Sequence, residues 1–196
     1  MGDIKVIQIR PPPGLKKEIT AIINEFANKY KVYRDVNNKN PHITLLDLSY
    51  THYACDYLLH KIGRMAGDFR PFKVRIDGIA SFDSLDKEAG AIGKRHNYVI
   101  YLRVIDDGSI LSLRKKLITG FGEGKLHYRK FVPHITISHK DLDKRGFERA
   151  LREYKSFTFR HSFTVKGLYL HTYSGSSKPY VRYIKFGRCK SSKCRR

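Results

Sequence analysis

The chain has 196 residues, of which 41% are hydrophobic, and its 39 lysines and arginines against 18 acidic residues give a formal net charge of +21. This size suffices for one globular unit, and the charge favours a polyanionic partner over its alternative, a solvated basic surface without a partner. Neither a signal-peptide h-region nor an apolar run near the ~20 residues of a membrane span is present, so we expect a cytoplasmic protein that does not enter membranes. Three cysteines cannot form a disulfide framework.

The first half of the chain predicts a strand, a helix, a strand, a helix and a strand, in that order. Three prolines stop the first strand, because proline cannot continue a hydrogen-bonded ladder. Both helices repeat apolar residues every three or four positions, whereas the last strand alternates apolar and charged residues. The predicted elements are residues 4–9, 14–30, 43–46, 51–65 and 71–79.

The second half predicts a similar order. After an exposed loop or hairpin tip at 83–96, an apolar run predicts a strand, and Asp106 or Asp107 begins a helix that ends near Gly120–Gly122. A second short strand, a helix and three further strands follow. The predicted elements are residues 98–105, 110–118, 135–138, 147–154, 157–165, 167–173 and 180–186, before a basic tail at 188–196 that we expect to be flexible and to attract RNA.

The tetrapeptide Pro-His-Ile-Thr occurs twice, at 41–44 and at 133–136. Each copy opens an apolar run that predicts a strand, and residues two apart in a strand share a face, so His42 projects with Thr44 and His134 with Thr136. The elements around the two copies keep the same order and nearly the same offset. We therefore predict a duplicated unit, with pseudo-repeats at about 1–80 and 97–187 and the two motif faces meeting across a central cleft.

Two imidazoles across a cleft suit a reaction in which one proton is removed and another is delivered near neutral pH. Phosphodiester cleavage is such a reaction, with the two threonine hydroxyls donating to the non-bridging phosphate oxygens. A single strand histidine is more often a core residue with a satisfied hydrogen bond, but two copies at matching positions reverse that preference. A zinc site is the other alternative. Threonine is a poor zinc ligand, however, and no cysteine or carboxylate lies at ligand spacing. We therefore expect neither a metal nor a cofactor.

Two H-x-T motifs in a duplicated chain of strands and helices resemble the 2H phosphoesterase superfamily, which includes the RNA 2′,3′-cyclic phosphodiesterases, also called 2′-5′ RNA ligases. The resemblance implies an α+β, bilobal, duplicated fold in which two antiparallel or mixed sheets flank a central cleft with helices outside. It also implies metal-independent hydrolysis of a cyclic phosphate to a 2′-phosphomonoester. The implied catalytic residues are His42 and His134, and the implied substrate-binding residues are Thr44 and Thr136.

Many members of this family continue the motif as H-x-T-L-x-F, with an aromatic that helps to wall the pocket. Here Asp47 and His139 occupy that position. This departure affects the wall around the nucleobase of the substrate, and hence the choice of substrate, more than it affects the reaction chemistry. Symmetry does not show which histidine is the acid; we lean to His42 as acid and His134 as base.

Three further residues are candidates for substrate binding. Arg129 and Lys130 lead into the second motif, where a cation can hold a phosphate, although an exposed basic turn is an equal alternative. Tyr180 follows a glycine- and serine-rich turn, where the resembling family often has an aromatic that lines the cleft. Nearby Tyr183 is better explained by strand packing.

We expect a single bilobal catalytic domain over residues 1–187, monomeric, that hydrolyses RNA or nucleotide ends bearing a 2′,3′-cyclic phosphate, with 2′-5′ RNA ligation as an additional activity. One alternative is a module of the same fold that binds RNA or a nucleotide without turnover. Another is a 2H enzyme that acts on 2′-5′ oligoadenylate or on cyclic nucleotides. A time course of product formation and a panel of substrates distinguish these hypotheses.

Overall fold

The structure, a computed structural model, describes residues 4–32, 40–49, 51–85, 96–122, 131–139, 142–173 and 179–187. The helices in these ranges are α1 (Pro13–Tyr30), α2 (Cys55–Ala66), α3 (Ser109–Phe121) and α4 (Lys144–Glu153). The strands are β1 (Ile4–Ile9), β2 (Ile43–Asp47), β3 (Phe72–Leu85), β4 (His96–Ile105), β5 (His134–His139), β6 (Arg160–Val165), β7 (Gly167–Tyr173) and β8 (Tyr180–Lys185). No helix in the described ranges is long and apolar enough to cross a bilayer.

The helices form where the apolar spacing predicts them. The buried side of α1 carries Leu15, Ile19, Ile23 and Phe26, one turn apart. The start of α3 is held by both predicted acids: a carboxylate oxygen of Asp106 accepts from the Ile110 amide at 3.0 Å, and that of Asp107 from the Ser109 amide at 3.0 Å. These bonds satisfy amides that have no partner inside the helix.

Several boundaries differ from the sequence prediction; α4 begins at Lys144 rather than at residue 147, and β6 begins at Arg160 rather than at residue 157. Helix α2 begins at Cys55 rather than near residue 51. Strand β3 continues to Leu85 and pairs with β4 as a long antiparallel hairpin, with Leu85 opposite His96. Pairing with β4 keeps the polar residues at the end of β3 extended. The local pattern of hydrophobic residues does not reveal such pairing.

The strands form two four-stranded antiparallel sheets with matching strand orders. The first sheet has the order β2-β1-β7-β8 and the second has the order β5-β4-β3-β6. Each motif strand therefore lies at one edge, beside the first strand of its own half, and each sheet receives its third strand from the other half of the chain. The predicted α+β fold with two sheets is confirmed, and the pairings are antiparallel rather than mixed. The exact limits of the two pseudo-repeats stay a prediction.

Two helices are exchanged between the sheets. Although α1 follows β1 of the first sheet, it packs against β5 of the second, and α3 follows β4 of the second sheet but packs against β2 of the first. Helix α2 covers β7 and β8, and α4 covers β4. One hydrophobic core consequently joins both halves of the chain. The opposite face of each sheet, which carries the His-x-Thr side chains, is called the cleft face below.

Gly167 provides a test of how tightly β7 and β8 approach each other. A Cβ atom at this position would lie 2.3 Å from the Ile184 carbonyl oxygen and 2.8 Å from the Tyr183 ring. We expect Gly167→Ala to lower the free energy of unfolding by about 1–3 kcal/mol, since the backbone must move to relieve the clash. Urea denaturation measures this change.

Gly63→Ala is the matched control, because Gly63 lies within α2 and nothing lies within 4 Å of the added Cβ. There the same substitution should raise stability by about 0.5–1 kcal/mol, the helix penalty of glycine. Equal stability changes at the two positions would contradict the packing described for β7 and β8.

Candidate active site at the two motif strands

Both motif histidines are oriented by the same hydrogen bond. Nδ1 of His42 lies 2.8 Å from the carbonyl oxygen of Asn40, and Nδ1 of His134 lies 2.7 Å from that of Val132. Because a carbonyl oxygen only accepts, each Nδ1 carries the proton, and in the neutral ring Nε2 is left with a lone pair. Each half-buried imidazole is thus prepared to accept or return a proton at Nε2.

Both motif strands contain a β-bulge at the same place. The pairing of β1 with β2 shifts between Ile7 and Gln8, and the pairing of β4 with β5 shifts between Ile100 and Tyr101. The threonines follow these shifts, with Thr44 opposite Gln8 and Thr136 opposite Tyr101. An extra residue at a bulge changes which side chains face inward, so both Leu45 and Leu46 are buried while His42 and Thr44 stay on the cleft face.

The structure brings the two motifs together. Strand β2 packs against β5, and the charge of a protonated His134 is among the influences that lower the pKa of His42 after burial, so the imidazoles share one electrostatic environment. Neither Thr44 nor Thr136 forms a side-chain hydrogen bond with another described residue, which leaves their hydroxyls available as donors. Two imidazoles and two hydroxyls of this kind match the needs of one phosphate group.

Burial lowers the pKa of both histidines below the usual value of 6.5, and their hydrogen bonds to Asn40 and Val132 oppose that shift only in part. The pKa of His42 is lowered further by positive charge on Arg10, His171 and His134. No neighbouring positive charge contributes in this way to the lowered pKa of His134. Burial therefore favours the neutral form of both imidazoles, and at His42 the neighbouring positive charges act in the same direction.

Arg10 provides a positive charge beside His42 that no described acidic residue compensates. Its Nε and Nη2 donate to Oε1 of buried Gln8 at 3.2 and 3.1 Å, and its guanidinium lies 5.0 Å from the centre of the Tyr169 ring. Both partners are neutral, and Arg10 forms no ion pair with a described residue. The charge is therefore available to an anionic ligand.

Arg103 occupies the matching position in the second sheet, where it pairs with His134 across the strands. Its Nε donates to the carbonyl oxygen of Asp77 at 2.9 Å, and its Nη2 contacts a carboxylate oxygen of Asp77 at 3.2 Å. Asp77 also binds Arg160 at 3.1 Å. The carboxylate of Asp77 is shared by two arginines and so compensates the charge of Arg103 in part. Arg10 has no acidic partner of this kind among the described residues, so the two halves of the site differ in polarity.

Aromatic side chains wall the second half of the site. Phe82 and Tyr101 stack with ring centres 4.3 Å apart, and each lies 5.1 Å from the ring of His134. They come from β3 and β4 rather than from the motif strands. Asp47, at the position where the family has an aromatic, instead accepts a hydrogen bond from the Ser49 amide at 2.9 Å. The His139 side chain lies outside the described residues.

The tyrosines of β8 are placed differently from the sequence expectation. Tyr180 pairs with Thr172, and both lie on the face opposite Tyr169, where Arg182 donates to the Tyr180 hydroxyl at 2.7 Å. Tyr183 instead pairs with Tyr169 on the cleft face, with ring centres 5.0 Å apart. A substrate in the cleft would therefore contact Tyr183 before Tyr180. Arg129 and Lys130 lie outside the described residues.

Arg10 was not predicted as a site residue, although the sequence contains a signal for it. Arg103 follows Arg10 by 93 residues, close to the 92 residues that separate His42 from His134. Aligning the two halves on their motifs therefore brings the two arginines within one residue of each other, and a one-residue gap pairs them. The signal is weak by itself, because the chain is rich in basic residues.

The sequence model of the 2′-5′ RNA ligase superfamily matches residues 11–177, and no curated protein matches the chain. Among solved structures, TT0787 of Thermus thermophilus is 17% identical with a TM-score of 0.61, covering 93% of this chain and 95% of its own. Escherichia coli LigT complexed with 3′-AMP is 17% identical with a TM-score of 0.56, and the match covers 96% of this chain and 100% of LigT. Kluyveromyces marxianus Usb1 is 11% identical with a TM-score of 0.51, and the match covers 93% of this chain and 98% of Usb1.

The folds of these proteins and the architecture described above agree, and the family match spans most of the chain. The protein belongs to the 2′-5′ RNA ligase superfamily, a branch of the 2H phosphoesterases. The expectation from the two H-x-T motifs is thereby confirmed at the level of family and fold.

The different surroundings of Arg10 and Arg103 predict different contributions to anion binding. Arg10→Gln should weaken the binding of inorganic phosphate about tenfold, the loss of one charge-assisted hydrogen bond, whereas Arg103→Gln should change it less than about twofold. Isothermal titration calorimetry at constant ionic strength measures both. Equal losses in the two variants would show that Arg10 has no special relation to the site.

Proposed function

We propose that this protein is a cyclic phosphodiesterase that hydrolyses RNA ends bearing a 2′,3′-cyclic phosphate to 2′-phosphomonoesters by acid/base catalysis. The observation that carries the proposal is the pair of equivalent histidines, each with Nδ1 donating to the carbonyl two residues earlier and each beside a threonine without a side-chain partner among the described residues. The +21 charge and the complexes of LigT with 3′-AMP and ATP support a nucleotide or RNA substrate.

In this mechanism one histidine removes a proton from water at its Nε2 as the water oxygen attacks the phosphorus. The bond between phosphorus and the ribose 3′ oxygen breaks, and the other histidine donates its Nε2 proton to that oxygen. The product carries a 2′-phosphate and a free 3′-hydroxyl. The next turnover requires only that the proton pass back between the histidines through solvent.

The remaining groups stabilise the charge that develops on the phosphate. Thr44 and Thr136 can each donate one hydrogen bond to a non-bridging oxygen from opposite sides. Arg10 adds positive charge on the His42 side, and Phe82 and Tyr101 exclude water around His134. Preorganised donors in a water-poor site lower the barrier more than the same groups in water.

The charges around the histidines favour the reverse of the assignment expected from sequence. Burial lowers the pKa of both histidines, and Arg10 lowers that of His42 further, so His42 stays neutral to lower pH and suits the base. His134 lacks that neighbour and retains a proton to higher pH, which suits the acid. We therefore propose His42 as base and His134 as acid.

Replacing either His42 or His134 by Ala should lower kcat by at least about 10²-fold, because each replacement removes one proton transfer. Hydrolysis of an RNA ending in a 2′,3′-cyclic phosphate, followed by chromatography, measures the loss, and EDTA should leave wild-type activity unchanged. Far-UV circular dichroism checks that the variants fold. Full activity in the double variant would rule out the mechanism, and RNA binding without any wild-type turnover would indicate a binding module.

The pH dependence of kcat/KM tests the roles of the two histidines, since it reports the pKa values of the free enzyme. Arg10→Gln removes a charge that, together with burial, lowers the pKa of His42, so that pKa rises. If His42 is the base, the acidic limb of the profile moves to higher pH. Arg10→Lys keeps the charge and should leave the limb in place. A shift of the alkaline limb instead would assign His42 as the acid.

A further inference from the structure

A cavity of about 880 Å³ opens beside His42, and we call it the side cavity. It is lined by Arg10 and Pro41 at the end nearest the histidine, by the first turn of α1, and by the segment where β6 passes into β7. Tyr169 and Tyr183 form its wall on the cleft face of the first sheet. Its volume lies within the ~300–1,000 Å³ range of pockets that bind small ligands.

The described lining of the side cavity is basic and contains no acidic residue. Its four cations are Arg10, Lys16, Lys17 and Lys166. Nζ of Lys16 donates to the neutral side-chain oxygen of Asn40 at 2.7 Å and forms no ion pair with a described residue. Lys17 and Lys166 are exposed and form no ion pair with a described residue. Like charges at one cavity destabilise the empty protein and favour an anionic ligand.

The two tyrosines provide an aromatic surface beside these cations. Gly167 makes room for the Tyr183 ring, because a side chain at this position would collide with it. The opposite wall contains Pro11–Pro13, whose rings fix the backbone φ angles. The side cavity is thus preformed, with basic groups for phosphates and a π surface for a base. These are the two components with which proteins bind single-stranded nucleic acid.

Arg10 belongs to both the candidate active site and the lining of the side cavity, and Asn40 and Pro41, which precede His42, also line it, so the two sites adjoin. We propose that the side cavity binds the nucleotides immediately upstream of the cyclic-phosphate end of a single-stranded RNA, and that the protein acts on RNA strands rather than on free mononucleotides. This inference rests on the proposed function for the position of the RNA end. The upstream phosphates contact Lys17 and Lys166, and one base stacks on the tyrosines.

The test is the double variant Lys17→Gln/Lys166→Gln in the full chain. Its probe is a fluorescein-labelled RNA hexanucleotide that ends in a 2′-phosphate, which is the reaction product and does not turn over. Fluorescence anisotropy should show about tenfold weaker binding of the hexanucleotide, whereas competition by cytidine 2′-monophosphate should change less than about twofold. The slope of log affinity against log salt should become shallower by about 1.4, or ~0.7 for each lost phosphate contact.

Lys115→Gln/Lys155→Gln is the matched control, since it removes the same charge from exposed residues of α3 and of the turn after α4. It should leave hexanucleotide affinity within about twofold of wild type. An equal loss in both double variants, or an equal loss of hexanucleotide and mononucleotide binding, would overturn the proposed subsite. Selective loss of hexanucleotide binding would support it even if the cyclic phosphate were never hydrolysed, and in that case the proposed function alone would fail.

Discussion

The hydrogen bond from each histidine Nδ1 to the carbonyl oxygen two residues earlier is the constraint on which the site depends. It fixes the ring orientation and leaves the lone pair of the neutral ring on Nε2. A proline lies between the two bonded residues in both motifs, Pro41 and Pro133, and both prolines are buried. Proline fixes its own φ and keeps the residue before it extended, so the accepting carbonyl is held in place before any ligand binds. The first letter of the repeated tetrapeptide thus has a structural role of its own.

The matching backbones of the two motifs have unlike surroundings. Both strands bulge directly after the threonine, and an arginine lies on or next to the neighbouring strand in both, Arg103 within β4 and Arg10 directly after β1. Yet among the described residues Arg10 contacts only neutral groups whereas Arg103 is bound to Asp77, and two described aromatic rings lie beside His134 but none beside His42. A symmetric frame therefore places two histidines in different electrostatic surroundings. Such a difference suits acid/base catalysis, because one group must accept a proton while the other donates.

Much of the fold could be predicted from the sequence, because helices and strands leave local periodicities. The motif residues were also recognisable, since His42 and Thr44 are two apart on one strand. Features that depend on pairing with distant strands could not be recognised in the sequence. Whether Tyr180 or Tyr183 faces the cleft, for example, depends on the register between β7 and β8. Arg10 comes close to His42 only because β1 pairs with β2 in the folded sheet. The bulges explain why Leu45 and Leu46 are both buried, which strict alternation does not allow.

The exchange of α1 and α3 between the sheets has a mechanical consequence. Each helix is tied covalently to one sheet while its apolar side is held by the other, so the sheets cannot separate as two rigid lobes on a free hinge. Any change in the distance between the two histidines must slide a helix across a close-packed core, and such cores resist small displacements. The spacing of the two histidines is consequently a property of the whole core, and substitutions far from the cleft can change the rate of the proposed reaction.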